Sequence, residues 1–362
     1  MMMNAEAKID SAREAPLTCR AIARSVVTRL NTAVLHVTHG RHRWPSGKIA
    51  RKNRVNRKIV KPAALKSGDT VAVVAPAAAI EREHLERGVN LLASMGFRVK
   101  VSERALARSG ILAGDDAERA AELQTCFADP EVKAIFSARG GYGCGRLMPL
   151  LDFDAIARTP KVFVGFSDAT FLLNALVDLA GMVSFHGPMV AMDFARGLSP
   201  RSLEHMKRLL NGDLRSFELE ARESVHPGTA QGEVIGGCLS VLVAAIGTPY
   251  APNFDNRILF LEDTGEKAYR IDRMLVQLRH SGVLAKVAGI VFGAIRAIDG
   301  DESENRLIAS FVAEQTAGLG CPVLYGIEAG HGTENFTIPF GVVARIESGQ
   351  RRIVFTEPAV AR

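Results

Sequence analysis

VFVGFSDAT, residues 162–170, joins an apolar run to a helix-like segment, FLLNALVDLA. The first part fits a short buried strand, and Ser167 stands at its end. Two readings of this junction are open. Ser167 is either the cap of the following helix, its hydroxyl accepting from a first-turn N–H, or a nucleophile raised on a tight strand-to-helix turn. Gly165 and Ala169 suit the second reading, because such a turn tolerates only small neighbours. The pattern is nevertheless GxSxA rather than GxSxG, and the local sequence by itself leans to the cap.

Outward from this junction the chain alternates strand and helix patterns. TVAVVAP (70–76) reads as a buried strand, and residues 80–96 as a helix stopped by a glycine. FRVKVSE is a short strand, 117–129 a helix, and AIFSARGGYG (134–143) a strand running into a glycine loop. KVFVGFS (161–167) is the next strand, and MVSFHGP a further short one. Strands separated by helices and short connections predict parallel βαβ units, an α/β fold. Ligand sites in such sheets lie at the carboxyl ends of strands. The Gly140–Gly141 loop and Ser167 fall at two such ends on consecutive strands.

The stretch 215–230 reads as a domain junction, dividing a first domain (61–215) from a second (230–362) richer in β structure. That second part holds GEVIGGCLSVLVAAIGTP, RILFLED (257–263), AYRIDRMLVQLRHSG (268–282), AGIVFGAI and PVLYGIEAGHG. TIPFGVVARIES and RRIVFTEP close it, resembling a hairpin around Ser348-Gly349.

At 362 residues and 47% hydrophobic, the chain has a soluble globular composition. Its net charge of +6 is unevenly spread. Residues 1–60 hold 13 Lys/Arg against Glu6, Asp10 and Glu14, so the remainder is mildly acidic and carries no nucleic-acid footprint. The basic stretch lacks periodicity, and Arg24 and Arg29 interrupt its best apolar run, which argues against a secretory signal. It is expected to be a disordered extension or an over-long start; a tail for nucleic acid or a membrane surface is the alternative. Five scattered cysteines without a CxxC pair point to a reducing compartment, and no run of 18 or more apolar residues predicts a spanning helix.

A serine nucleophile needs a base and an orienting carboxylate. Of the nine histidines, His36, His39 and His42 lie in the basic stretch, and His84 and His205 in polar helical patterns. His280 sits near a helix end, where a cation suits the macrodipole. His331 differs, being flanked by Gly330 and Gly332 just past a strand; a plain turn histidine is the other reading. RILFLED ends an apolar strand with Glu262 and Asp263, and a carboxylate there needs partners such as a histidine. A strand-end residue facing water, or a helix cap at Asp263, remains the alternative. No Walker motif, dinucleotide fingerprint, HExxH or His/Asp cluster is present, so no metal and no organic cofactor are expected.

These blocks, taken in order, carry a resemblance. VAPAAA, RGGYGCGRLMPLLDF (139–153), GFSDAT (165–170), SFHGPM (184–189), GGCLSVLVAAIGTP (236–249), LFLEDTGEKAYRIDRMLVQL (259–278) and AGHGTENFTIPFG (329–341) resemble the LD-carboxypeptidases, the muramoyl-tetrapeptide carboxypeptidase family, over roughly residues 65–360. The resemblance implies that Ser167 is the nucleophile, Glu262 the acid and His331 the base, against the local leaning toward a cap. It implies a Rossmann-like N-terminal domain, a β-rich C-terminal domain, a homodimer and a cytoplasmic role in recycling cell-wall peptides, with release of terminal D-alanine from murein tetrapeptides. On that basis the N–H of Asp168 and one from Gly140 or Gly141 are expected to hold the oxyanion, and Arg139 to bind the substrate's free carboxylate, a structural ion pair being the alternative for Arg139. Where the family commonly reads GGNL, this chain has Cys238. Two other functions fit the same sequence: a related serine hydrolase giving self-immunity to peptidyl-nucleotide antibiotics, disfavoured by the sparse aromatics, and a non-catalytic α/β binding protein, disfavoured by the three triad residues.

Overall fold

The computed structural model describes residues 58–362, so the expectations for the basic N-terminal stretch fall outside the described residues except at its last three positions. Two sheets organise the chain. The first contains β1 (Thr70–Val74), β2 (Arg98–Val101), β3 (Val132–Ser137), β4 (Val162–Gly165) and β5 (Ser184–His186), all paired in parallel. Helices Arg82–Ser94, Asp116–Ala128 and Thr170–Asp178 lie between these strands in sequence. β4 is buried at every position and β3 at every position but Lys133, as expected for strands covered on both faces.

The second sheet is built from β6 (Phe217–Glu220), β7 (Glu223–His226), β8 (Thr229–Cys238), β9 (Ile258–Glu266), β10 (Gly289–Ala297) and β11 (Val323–Gly330), followed, after a short strand β12 (Ile338–Phe340), by β13 (Val343–Glu347) and β14 (Arg352–Phe355). Its order is β6-β14-β13-β8-β9-β10-β11-β7, with a parallel centre from β8 to β11 and antiparallel strands on both sides. The stretch read as a junction thus contributes β6 and β7, one at each edge. The hairpin around Ser348-Gly349 forms as expected, as β13 and β14.

β12 does not join that hairpin. It pairs antiparallel with β5, placing Ile338 opposite His186, and so becomes the last strand of the first sheet, whose order is β12-β5-β4-β3-β1-β2. The sequence reading kept TIPF with the strand that follows it. The Gly341 turn instead separates two strands that belong to different sheets, and Ile338 and Phe340 are buried where they pair with β5.

Specific polar contacts lock the two halves together. Asn174, on the helix after Ser167, accepts from the N–H of Gly236 at 3.1 Å and donates to its carbonyl at 2.7 Å. One turn earlier, Thr170 Oγ1 accepts from the Cys238 N–H at 3.0 Å. The helix can dock so closely because β8 ends in glycines: a Cβ at Gly237 would lie 2.5 Å from Thr170 Oγ1. Arg257, ahead of β9, pairs with Asp178 of the same helix and with Glu233 of β8.

Candidate active site

The turn at the tip of β4 is sharp. Phe166 is still extended, but Ser167 adopts φ 59°, a left-handed conformation that costs a non-glycine residue about 1–2 kcal/mol. A single 3₁₀ turn, Ser167–Ala169, then leads into the helix Thr170–Asp178. The Ser167 hydroxyl caps neither segment and makes no hydrogen bond among the described residues. The helix-cap reading favoured by local pattern therefore fails, because the serine sits inside the turn rather than at the first helical N–H groups.

Asp168 anchors the turn from below: its carboxylate is buried and accepts from the Cys144 N–H at 2.7 Å, just beyond the glycine loop that follows β3. Burial pushes this carboxyl above its usual value. The loop itself closes over the serine. A Cβ on Gly140 would lie 2.7 Å from Ser167 Cβ and 3.3 Å from the Asp168 nitrogen. Gly141 packs on Ala78. Arg139 donates through Nη1 to the Ala79 carbonyl at 3.2 Å, and its Nε is buried without a hydrogen-bond partner.

The second sheet brings an acid and a histidine to the same region. Glu262 lies at the middle of β9, which runs on to Glu266 rather than ending at Asp263 as the sequence suggested; it stands opposite Cys238 of β8 in the register and is fully buried. His331 follows β11 directly. Its ring Nδ1 donates to Glu262 Oε2 at 2.6 Å, and its backbone N–H donates to the same oxygen at 3.1 Å. This fixes the imidazole with Nε2 facing away from the carboxylate, free to handle a proton. Gly330 is needed for the approach, since a Cβ there would fall 2.5 Å from Glu262 Oε2. The imidazole packs on the ring of Phe166, the residue before Ser167, with 4.6 Å between centroids.

The loop after His331 is tied to the first half as well. Glu334 accepts from the hydroxyls of Ser199 and Ser202, the Asn335 N–H donates to Ser202 Oγ, and His205 Nε2 donates to the Thr337 carbonyl at 2.9 Å. His205, read from the sequence as lying in a polar helical pattern, is in fact packed between Phe217 and Phe336. From Thr337 the chain enters β12, so the loop bearing His331 is anchored on both sheets.

Burial alone would raise the Glu262 carboxyl. The charge and hydrogen bond of His331, with His186 close by, instead hold it down to about 2. His331 shows the mirror image: burial opposes its charged form, but the charge and hydrogen bond of Glu262, with further help from Asp263 and Asp193, raise it. Asp263 accepts from the Ser240 N–H at 2.7 Å, at the start of the helix Leu239–Ala245. Burial and the neighbouring Glu262 charge push Asp263 up to about 6. Neither alternative read for Asp263 holds: it is buried inside β9, no helix starts at it, and its carboxylate instead reaches the first turn of a helix earlier in the chain.

Sequence reading passed over His186 and Asp193. The first carried a signal, a histidine within the otherwise apolar run MVSFHGP. A cleft of about 570 Å³ opens beside the His331 loop, lined by Gly332, Thr333, Ala294, Arg296 and Arg222. Among the described residues, no group of three or more His, Cys, Asp or Glu side chains is placed to hold a metal ion, and no helix is long and apolar enough to cross a membrane.

The fold and site together define a two-sheet α/β protein in which a strand-tip serine and a half-buried histidine paired with a buried carboxylate come from different sheets. The chain belongs to the LD-carboxypeptidase family, whose N-terminal domain matches residues 71–187 and whose C-terminal domain matches residues 231–346. It is accordingly a peptidase, a hydrolase of peptide bonds. Among its relatives is a probable murein peptide carboxypeptidase of Bacillus subtilis, 37% identical over 81% of this chain and 93% of the other. A murein tetrapeptide carboxypeptidase of Pseudomonas aeruginosa is 33% identical over 78% and 94%. The crystal structure of muramoyltetrapeptide carboxypeptidase from Oxalobacter formigenes superimposes with a TM-score of 0.72 at 32% identity, covering 79% of this chain and 97% of that one.

Proposed function

We propose that this chain is a serine-type LD-carboxypeptidase that releases the terminal D-alanine of murein tetrapeptides, acting as a homodimer in the cytoplasm during peptidoglycan recycling. The observation that carries this reading is the left-handed Ser167 under the Gly140 loop, with the Glu262–His331 pair packed against its neighbour Phe166. The names of the similar proteins supply the substrate class.

In the proposed reaction, Ser167 Oγ attacks the carbonyl carbon of the L,D-peptide bond while His331 Nε2 takes its proton. Glu262 holds the imidazole tautomer and stabilises the imidazolium. The negative oxygen that develops is held by the Asp168 N–H and an N–H of the Gly140–Gly141 segment, donors whose individual loss typically costs about 100–1000-fold in turnover. Collapse of the tetrahedral species breaks the C–N bond, and the leaving amine of D-alanine takes the proton from His331. Water then attacks the acyl-enzyme with His331 as base, restoring Ser167. Arg139, beside the loop, is the proposed partner of the substrate's free carboxylate, which a guanidinium can bind through two N–H groups.

The test is a mass-spectrometric digest of a murein tetrapeptide, with loss of one D-alanine expected from the native chain and none from Ser167→Ala. Retained activity in that variant overturns the serine mechanism, and preferential cleavage of a peptidyl-nucleotide overturns the substrate assignment. Sedimentation of the native chain as a monomer overturns the homodimer.

A further inference from the structure

His186 lies on β5 and is fully buried. In the register it stands opposite Gly165 of β4, two residues before Ser167, and on its other side opposite Ile338 of β12. Three aromatic rings enclose it, Phe260 at 5.0 Å, Phe166 at 5.6 Å and Phe340 at 5.7 Å between centroids. The polar atom facing it is Glu262 Oε1, 3.5 Å from His186 Nε2. That separation and alignment do not make a hydrogen bond, and neither atom has another partner. Two complementary buried polar atoms, each otherwise unsatisfied, therefore face each other across the boundary between the sheets. Buried polar groups are rarely left so, and a small rotation of the imidazole would close the contact.

We infer that His186 is a positioning residue for the reaction proposed above: with its proton on Nε2 it donates to Glu262 Oε1, so that the carboxylate is gripped by one histidine from each sheet and its other oxygen is held toward His331. The inference rests on that reading of the site and goes beyond it by giving the acid a second partner. Glu262 belongs to the second sheet, Ser167 to the first, and His186 is the polar link from the nucleophile's sheet to the acid. Its contact also draws negative charge away from Oε2, which moderates the basicity that Glu262 confers on His331. The charged groups facing this cluster are Glu262 itself, and Asp263 and Asp193 beside His331.

The experiment compares full-length native enzyme with His186→Phe, which keeps an aromatic ring in the cage without an N–H, and His186→Gln, which restores an N–H donor near the Nε2 position. Each is assayed for D-alanine release across pH. The loss expected for His186→Phe is about 10–100-fold in kcat/KM, taken by analogy from the removal of outer-shell partners that orient metal ligands. In addition, the acidic limb of the kcat/KM profile should move to higher pH, because the freed carboxylate holds a proton on His331 more strongly. His186→Gln should return the limb toward its native position. A merely structural role would lower the whole profile without moving the limb and would not distinguish Gln from Phe, and that result overturns the inference. Should His186→Phe fail to fold, ring nitrogen shifts of the native protein decide the matter. A proton on His186 Nε2 at neutral pH supports the contact, and an unprotonated Nε2 overturns it. Ser167→Ala is run in parallel. If it stays active, the serine mechanism itself has failed, whereas an inactive Ser167→Ala beside an unaltered His186→Phe removes only the role given to His186.

Discussion

Gly140 approaches Ser167 so closely that a Cβ on the glycine would lie 2.8 Å from the serine hydroxyl oxygen and 2.7 Å from its Cβ. No flexible side-chain end is available to give way, because the serine is held on a strained turn. Gly140→Ala is therefore expected to displace either the loop or the nucleophile. Activity should fall at least about 100-fold, as when an oxyanion donor is misplaced, with a stability cost of about 1–3 kcal/mol from overpacking. Paired kinetics and urea denaturation of the variant check both numbers.

The conformation of Ser167 is costly for any residue with a Cβ. Ser167→Ala removes the hydroxyl but keeps the strain, whereas Ser167→Gly removes both. The glycine variant should be more stable than the alanine variant by about 1 kcal/mol, while both lose D-alanine release. Equal stability of the two variants in denaturant titrations would show that φ 59° carries no strain.

The ionisation of the Glu262–His331 pair sets a pH dependence with a definite sign. Glu262 is held at about 2, below its usual 4.5. Its contribution to stability is present above 4.5 and is lost as pH falls toward 2. His331 is raised above 6.5. Its contribution is full below 6.5 and disappears as pH rises through the folded-state value. A general base must be neutral, so the acidic limb of kcat/KM should lie above pH 6.5. Glu262→Gln should move that limb to lower pH and reduce kcat by about 10,000-fold, the scale found when the orienting carboxylate of a triad becomes an amide. A pH–rate profile of the two proteins tests this.

Asn174 satisfies both backbone groups of Gly236 from across the boundary between the halves. Asn174→Leu keeps the side-chain volume but leaves a buried N–H and a buried C=O unpaired. The expected loss is about 2–4 kcal/mol, read as a lower urea midpoint. An unchanged midpoint would mean that the two halves do not depend on this contact.

The buried cysteines should be chemically silent in the native state. Burial, then the charges of Asp263 and Glu262, push the Cys238 thiol well above 9; burial, then Asp168, does the same for Cys144. Because the thiolate is the reactive form, iodoacetamide at pH 8 should leave both unmodified in the folded protein and alkylate both in guanidinium. Peptide mapping by mass spectrometry gives the answer, and native labelling of Cys238 would reveal opening at the end of β8.

Much of this site was legible in the sequence, for identifiable reasons. Ser167 announced itself because a polar residue broke a strand-to-helix junction, and His331 because glycines flanked it. β1 and β4 of the first sheet were readable as continuous apolar runs, as buried strands must be. What the sequence hid was long-range. Nothing local to TIPF says that β12 will leave β13 and pair with β5. The three-residue β5 is too short to advertise its burial, so His186 was passed over, and its proximity to Glu262 exists only once the two sheets meet. Asp263 could be read as a helix cap, but β9 runs on past it, and its bond to the Ser240 N–H exists only once β8 pairs with β9. The conflict at Ser167, between a local pattern favouring a cap and a backbone that forbids one, arose where strain and chemistry coincide.

β12 also has a consequence for how the protein is made. The first sheet receives its last strand only after nearly the whole second sheet has been synthesised, so the lobe bearing the nucleophile cannot finish folding on the ribosome ahead of the lobe bearing the base. An enzyme wired in this way has no half-assembled form in which the serine is complete without its histidine: the strand that seals the first lobe is reached only through the loop that delivers His331.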